Sequence, residues 1–196
     1  MSKGTQTRDT ILAHASDVAS EQGLDGLSIG QLAKDLSMSK SGVFAHFNSK
    51  EKLQIQVLDF VVDKFVDDVI RPALKAQRGE ARVRALFHNW ADWLTHSRFR
   101  GGCPFMAAAA EYDDRPGPVR DRLKSSQHDW MDTIRNVVRT AIDTGEFRPD
   151  VDVGQLAFEA YGAMMAYQHA ARLLDDPRAR DYLIAAFDRL IDNARV

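Results

Sequence analysis

Cysteine is nearly absent. Cys103 stands alone among 196 residues, which excludes an intrachain disulfide and any Cys-rich zinc site. No apolar run approaches the ~18 residues of a membrane span. No signal peptide is expected, because polar and acidic residues interrupt the apolar part of "MSKGTQTRDTILAHASDVAS". Long period-two alternation is missing, and the six prolines and twelve glycines are sparse, so strands are not expected. Excess charge is missing as well, the net being -2. Residues 1–52 set Lys3, Arg8, Lys34, Lys40, Lys50 and Lys52 against Asp9, Asp17, Glu21, Asp25, Asp35 and Glu51. Any nucleic-acid reading must therefore rest on local placement. What is present is 44% hydrophobic residues, enough for a core. The expectation is a cytoplasmic, all-α protein of about nine helices, with no cofactor and no metal.

Ile11, Leu12, Ala15, Val18 and Ala19 form one apolar stripe, and Gly23 stops that helix. Ser28 opens the next with the spacing of a capping box to Gln31, and Ile29, Leu32, Ala33 and Leu36 supply its inner face. Ser37-Met38 makes a tight turn. Ser39 caps a third helix, Lys40 to about Phe47, and Lys50 begins a longer fourth that Pro72 should end or kink. Residues 79–100 carry Val83, Leu86, Phe87, Trp90 and Leu94 on one face. Gly101-Gly102 breaks that helix and Pro104 starts a short apolar one. Pro118 suits the first position of the following helix. Asp152 with Gln155 suggests a second capping box, opening a helix to about Leu174. Asp176-Pro177 starts the last.

Two short helices joined by a tight turn form a helix-turn-helix. The second shows small or basic side chains at its start: Ser39, Lys40, Ser41 and Gly42. Small residues let a helix end press into a major groove, while serine hydroxyls and unpaired N–H groups bind phosphate oxygens. Lys50 adds a cation and a second helix start. Expected DNA contacts on this reading are Ser28, Ser39, Lys40, Ser41, Gly42 and Lys50.

"IGQLAKDLSMSKSGVFAHFNSKEKL" resembles the DNA-binding region of the tetracycline-repressor (TetR) family of bacterial transcription regulators. The shared pattern is an Ile-x-x-Leu-Ala-x-x-Leu helix, a turn, a Ser-Lys-led recognition helix ending His-Phe, and a Ser-Lys-Glu-x-Leu start. Ile29, Leu32, Ala33, Leu36, Ser39, Lys40, Val43, His46, Phe47, Ser49, Lys50, Glu51 and Leu53 fall in register. The specific likeness spans residues 5–55. "GGCPFMAAAAEYDDRPGPVRDRL" looks like a segment of one branch of that family. Ser41-Gly42 replaces a usual Gly-Thr. Phe44 replaces a usual Tyr, so it offers no hydroxyl to phosphate, only apolar contact such as to a thymine methyl. His46 either donates to phosphate or stacks at the helix junction.

The resemblance implies a DNA-binding domain, residues 1–49, and a ligand-binding and dimerisation domain, residues 50–196. In the 152–174 helix, Leu156, Ala160, Ala163, Tyr167, Ala170 and Leu174 share one face and Phe158, Tyr161, Met165 and His169 the opposite one. A helix apolar on both sides is buried on both. The alanine-rich face is assigned to a partner helix across a two-fold axis, the contact residues being Leu156, Ala160, Ala163, Tyr167, Ala170, Leu183, Phe187 and Leu190. The candidate effector pocket is Trp90, Trp93, Phe105, Tyr112, Trp130, Phe158, Tyr161 and Met165, with Glu111, Tyr112, His128 and His169 as polar groups. Ordinary core packing explains the same aromatic set. The expected partners are double-stranded operator DNA, a second copy of the chain, and a small, largely apolar effector; no membrane is involved. The expected function is a transcriptional regulator, a ligand-released repressor on a palindromic operator, rather than an enzyme. The rivals are a constitutive DNA binder without ligand, and a small helical enzyme pairing Cys103 with His88, His96 or His128.

Overall fold

The structure, a computed structural model, describes residues 3–95 and 98–196. Its helices are α1 (Lys3–Gln22), α2 (Ile29–Asp35), α3 (Lys40–Phe47), α4 (Lys50–Phe65), α5 (Arg71–Lys75), α6 (Glu80–Thr95), α7 (Pro104–Tyr112), α8 (Pro118–Asp143), α9 (Val153–Arg172) and α10 (Ala179–Ala194). Among the described residues β-pairing is limited to one isolated bridge, Phe147 with Arg195, and no helix is long and apolar enough to cross a membrane.

Pro72 does not end the fourth helix. A π-helical turn, Val66–Ile70, follows α4 directly and α5 continues from it. Proline has no N–H to offer the carbonyl four residues back, and the wider turn re-routes the bonding: Arg71 N–H reaches Val66 O. Asn89 Nδ2 donates to Val69 O at 3.1 Å. The two expected capping boxes form by half. Ser28 Oγ accepts from Gln31 N at 3.4 Å, and Asp152 Oδ1 accepts from Gly154 N at 2.8 Å and Gln155 N at 3.0 Å. The glutamines do not reach back. Gln31 Nε2 donates to Asp35 at 2.6 Å and Gln155 Nε2 to Glu159 at 2.7 Å, one helical turn on.

The chain divides into two compact units. Unit 1 is Met1–Lys64 with Ser97–Ser126, and unit 2 is Phe65–His96 with Gln127–Val196. The α7 segment thus shares a unit with the helix-turn-helix, whereas the expected division of roles falls at residue 49. The core of unit 1 includes Ile11, Leu12, Ala15, Leu32, Val43, Phe47, Leu53 and Val57, all at most 2% exposed. Gly101 lets its loop lie against α1: a Cβ there would meet Ser20 O at 2.0 Å, while Gly101 N donates to Ser20 Oγ at 2.8 Å.

Unit 2 is organised by α9 on α10 and by aromatic rings on α6, α8 and the π-turn entry. Phe87 stacks on Phe187 at 4.5 Å. Phe65 meets Trp93 and Trp130 edge-on at 5.3 and 4.8 Å, and Trp90 meets Trp130 at 4.7 Å. Such edge-to-face pairs add roughly 0.5–1.5 kcal/mol each beyond the area they bury.

Candidate nucleic-acid interface

The helix-turn-helix is built from local bonds. Ser37, in the left-handed region at φ 53°, ends α2: Met38 N donates to Ala33 O at 2.8 Å and Ser37 N to Lys34 O at 3.1 Å. This is the pair of bonds of a Schellman stop, with serine where glycine is usual. Ser39 Oγ then accepts from Gly42 N at 3.0 Å and so caps α3. A Cβ on Gly42 would sit 3.0 Å from that same oxygen, which favours glycine there. Val43 and Phe47 point into the core. The opposite side of α3 presents Ser39, Lys40, Ser41, Phe44 and Ala45 to solvent, and Phe44 is 49% exposed. Exposing that ring while Val43 and Phe47 are sealed leaves an apolar contact surface beside small polar groups. His46 is half-buried, with its ring 6.1 Å from that of its neighbour Phe47. Ser28 is exposed at the start of α2.

Lys50 is less free than expected. Its Nζ donates to Asp25 O at 2.6 Å and lies 3.4 Å from Asp25 Oδ1. An ammonium has three donors, so one remains for phosphate. The α4 start is partly capped already, Lys52 N donating to Ser49 Oγ at 3.1 Å. Asp25 also takes Arg115 Nη1 at 2.8 Å. The Arg115 bond and then Lys50 hold the Asp25 carboxyl below the ordinary carboxylate range.

A second carboxylate grips the same loop. Glu111, on α7, accepts Leu24 N and Asp25 N, each at 2.7 Å, one on each oxygen. Gly23 precedes them at φ 77°, and a Cβ there would come within 2.8 Å of Glu111 Oε2. Beside it Gln54 Nε2 donates to Leu24 O at 2.8 Å and to Tyr112 Oη at 3.0 Å. Burial, then the Glu111 charge, push the Tyr112 phenol up. Glu111 and Tyr112, expected to orient a ligand, are thus committed to the loop between α1 and α2. Residue patterns did not reveal Asp25, Gln54, Glu111 or Arg115 as part of this site; the only local sign was Gly23 closing α1.

The expected effector set is divided. Trp90, Trp93, Trp130 and Tyr161 gather in unit 2, whereas Phe105 and Tyr112 are buried in unit 1. Phe158 and Met165 lie apart from that buried group, being 69% and 44% exposed. None of the eight lines the cavity of about 320 Å³ beside Val18, Gln22, Ser28 and Gln31, nor the one of about 170 Å³ beside Arg148 and Leu190.

The residues assigned to a dimer contact are largely occupied within the single chain. Leu156, Ala160, Tyr167, Leu183 and Phe187 are at most 6% exposed within the single chain. They join α9 to α10 and α6; Phe187 stacks on Phe87, and Tyr167 Oη lies 2.9 Å from Thr95 Oγ1. Ala163, Ala170 and Leu190 are half-buried, and Leu174 is 62% exposed. Phe158, Gly162, Met165, Ala166 and His169 of α9 and Leu173 at its C-cap are exposed instead, as are Tyr182 and Ala185 of α10. The face of α9 assigned to a partner packs within the chain, and the face assigned to the core is the exposed one.

Cys103 is buried at the N-cap of α7 in unit 1. His88 and His128 are exposed and belong to unit 2; His96 lies outside the described residues.

Residues 11–57 match the family described as "Bacterial regulatory proteins, tetR family". Residues 79–187 match "Tetracyclin repressor-like, C-terminal domain". The chain is 24% identical over 147 residues to the HTH-type transcriptional repressor NicS of Pseudomonas putida, covering 74% of this chain and 68% of NicS. A TetR transcriptional regulator from Chloroflexus aurantiacus superposes with a TM-score of 0.88 at 27% identity, over 100% of both chains. AibR in complex with isovaleryl coenzyme A and operator DNA shares the fold, with a TM-score of 0.76 at 20% identity over 94% of this chain and 97% of AibR.

Proposed function

The chain belongs to the tetracycline-repressor family of transcription regulators, and from that premise we propose that it is a ligand-released repressor acting as a homodimer on a palindromic operator. The observation that carries the DNA contact is α3: a two-turn helix, capped by Ser39, with Ser41, Phe44 and Ala45 exposed along its outer side. Residues 1–49 take the groove. Ser39 O–H, the first N–H groups of α3 and the third Lys50 donor hold phosphates, while Phe44 and Ala45 meet base edges, with thymine methyls as their natural partners.

One such helix holds weakly, so two half-sites about 34–36 Å apart or more are engaged together. The outward face of α9 and α10, with Phe158, Met165, Leu173 and Tyr182, supports a two-fold contact of four helices. Those side chains are 69%, 44%, 68% and 49% exposed in one chain. Leaving such a stripe in water is unfavourable, and a second copy covers it with an identical stripe.

Residues 50–196 take the effector, and the aromatic group Phe65, Trp90, Trp130 and Tyr161 supports its place. AibR, with the same fold, was crystallised with both an acyl thioester and operator DNA, and NicS is a repressor. An effector that binds the DNA-free form a hundredfold more tightly supplies about 2.7 kcal/mol of coupling, and operator DNA must weaken the effector equally. A constitutive binder is the second reading, favoured by the ring-to-ring packing in unit 2. A genome-wide map of bound DNA tests the proposal: palindromic sites beside a few promoters are expected, and binding without sequence preference would overturn it. Derepression of those promoters by a small molecule separates the two readings.

A further inference from the structure

Burying a polar atom without a partner is costly, so each such atom asks for an explanation. In unit 2 one is the indole N–H of Trp130, whose Nε1 is sealed from water and bonded to nothing, on a side chain that is 7% exposed. Its ring is pinned edge-on by Phe65 at 4.8 Å and Trp90 at 4.7 Å, so it cannot swing towards a partner. Another such atom, Gln168 Oε1, lies on α9 two turns beyond Tyr161 and on the same side of that helix. Tyr161 tilts against Trp90 at 6.0 Å, and its hydroxyl donates to Gln127 at 3.2 Å. Tyr161 and Gln127 are only half-buried, so this bond forms the outer edge of the aromatic group.

The charges narrow the chemistry. Among the described residues of unit 2, no Asp, Glu, Lys, Arg or His is buried. A carboxylate or phosphate carried next to Trp130 would lose its hydration and find no buried cation among the described residues of that unit to offset the loss. A neutral acceptor loses little and relieves the indole.

We propose that the effector is an uncharged, largely ring-shaped or branched apolar compound whose carbonyl oxygen accepts a hydrogen bond from Trp130 Nε1. The inference rests on the effector reading above and names the group that selects the ligand. Entry runs past the Tyr161–Gln127 bond. Phe65 and Trp90 supply apolar walls, and Gln168 receives a donor where the ligand has one.

The test uses the whole chain and a matched probe pair, α-tetralone and tetralin, which share a skeleton and differ at the carbonyl. The three tryptophans give three indole N–H signals in a ¹⁵N correlation spectrum, and Trp130→Phe assigns one of them. The ketone is expected to move that signal downfield while the hydrocarbon does not. Calorimetry is expected to show about a tenfold preference for the ketone. That preference should vanish in Trp130→Phe, a variant that keeps an aromatic ring at this position and removes the N–H. Equal binding of both probes, or a preference that survives Trp130→Phe, overturns the role of Trp130 and leaves an apolar effector site standing. Tighter binding of tetralin-1-carboxylate than of the ketone overturns the neutral class. Binding of none of the three overturns both the inference and the placement of the effector here. An indole signal already downfield in the free protein and unmoved by ketone assigns the donor to water and overturns the proposal.

Discussion

Glu111→Gln exchanges one carboxylate oxygen for an amide nitrogen at nearly constant volume. In the native chain each oxygen takes one backbone N–H, from Leu24 and Asp25, both at 2.7 Å. A hydrogen bond to a charged acceptor contributes about 1.5–3 kcal/mol, and a donor left facing another donor costs more than a lost bond alone. Glutamine keeps one bond and points an N–H₂ at the other N–H. Glu111 is half-buried, so water softens the loss and about 2 kcal/mol is expected. For a chain of this size that lowers the melting midpoint by about 4–8 °C. The same loop carries Asp25, which holds Lys50 and Arg115, and leads into Ser28 at the start of α2. Loosening it reduces the fraction of molecules ready to bind, and operator affinity falls by up to about thirtyfold. The sign is decisive. Removing a negative charge near DNA would by itself tighten binding; the clamp predicts weaker binding. The slope of log affinity against log salt should not change, since no phosphate contact is removed. Electrophoretic or anisotropy titration over a salt series, with thermal melting, measures all three. Equal or tighter operator binding, or an unshifted melt, would refute the clamp as a positioning device.

Lys50→Ala should weaken binding to every DNA sequence alike and reduce the salt slope by about 0.9, an unchanged slope removing Lys50 from the interface. Phe158→Arg with Met165→Arg should give folded monomers in sedimentation that no longer hold a palindromic site, whereas Leu156→Ala should cost about 2–5 kcal/mol of stability through a cavity without selective dissociation. Persisting dimers of normal affinity in the arginine variant would move the interface elsewhere. Glu80 is held down to about 2 from 4.5, first by its bond to Arg195. Because the folded value lies below the unfolded one, its contribution is complete above about pH 5 and fades as pH falls from 4.5 towards 2. Arg195 is 47% exposed on its side chain, so solvent screens the pair and the effect is small; Arg195→Ala should flatten acid unfolding in that window, and an unaltered acid limb would show the pair to be inert.

The cap at Ser39, the stop at Ser37, proline opening α8 and the Asp152 cap were all legible in the residue order. Each is made between groups two to five positions apart, so the chemistry of a short segment decides it. The spacing of Leu32, Ala33, Val43 and Phe47 likewise determined which side of α2 and α3 turns inward, and with it which residues remain for DNA. The double apolar stripe of α9 was also plain. Which stripe faces α10 was not, because both satisfy the helical period and only the fit of Leu156, Ala160 and Tyr167 against α10 and α6 separates them. The Glu111 clamp joins groups 86 and 87 positions apart, and the Gln54–Tyr112 bond spans 58. No local pattern marks such partners. They are selected when α1, α4 and α7 pack together and a loop N–H must find an acceptor. The unpaired Trp130 donor belongs to that class too: its residue type was always visible, and its isolation exists only once Phe65 and Trp90 close around it.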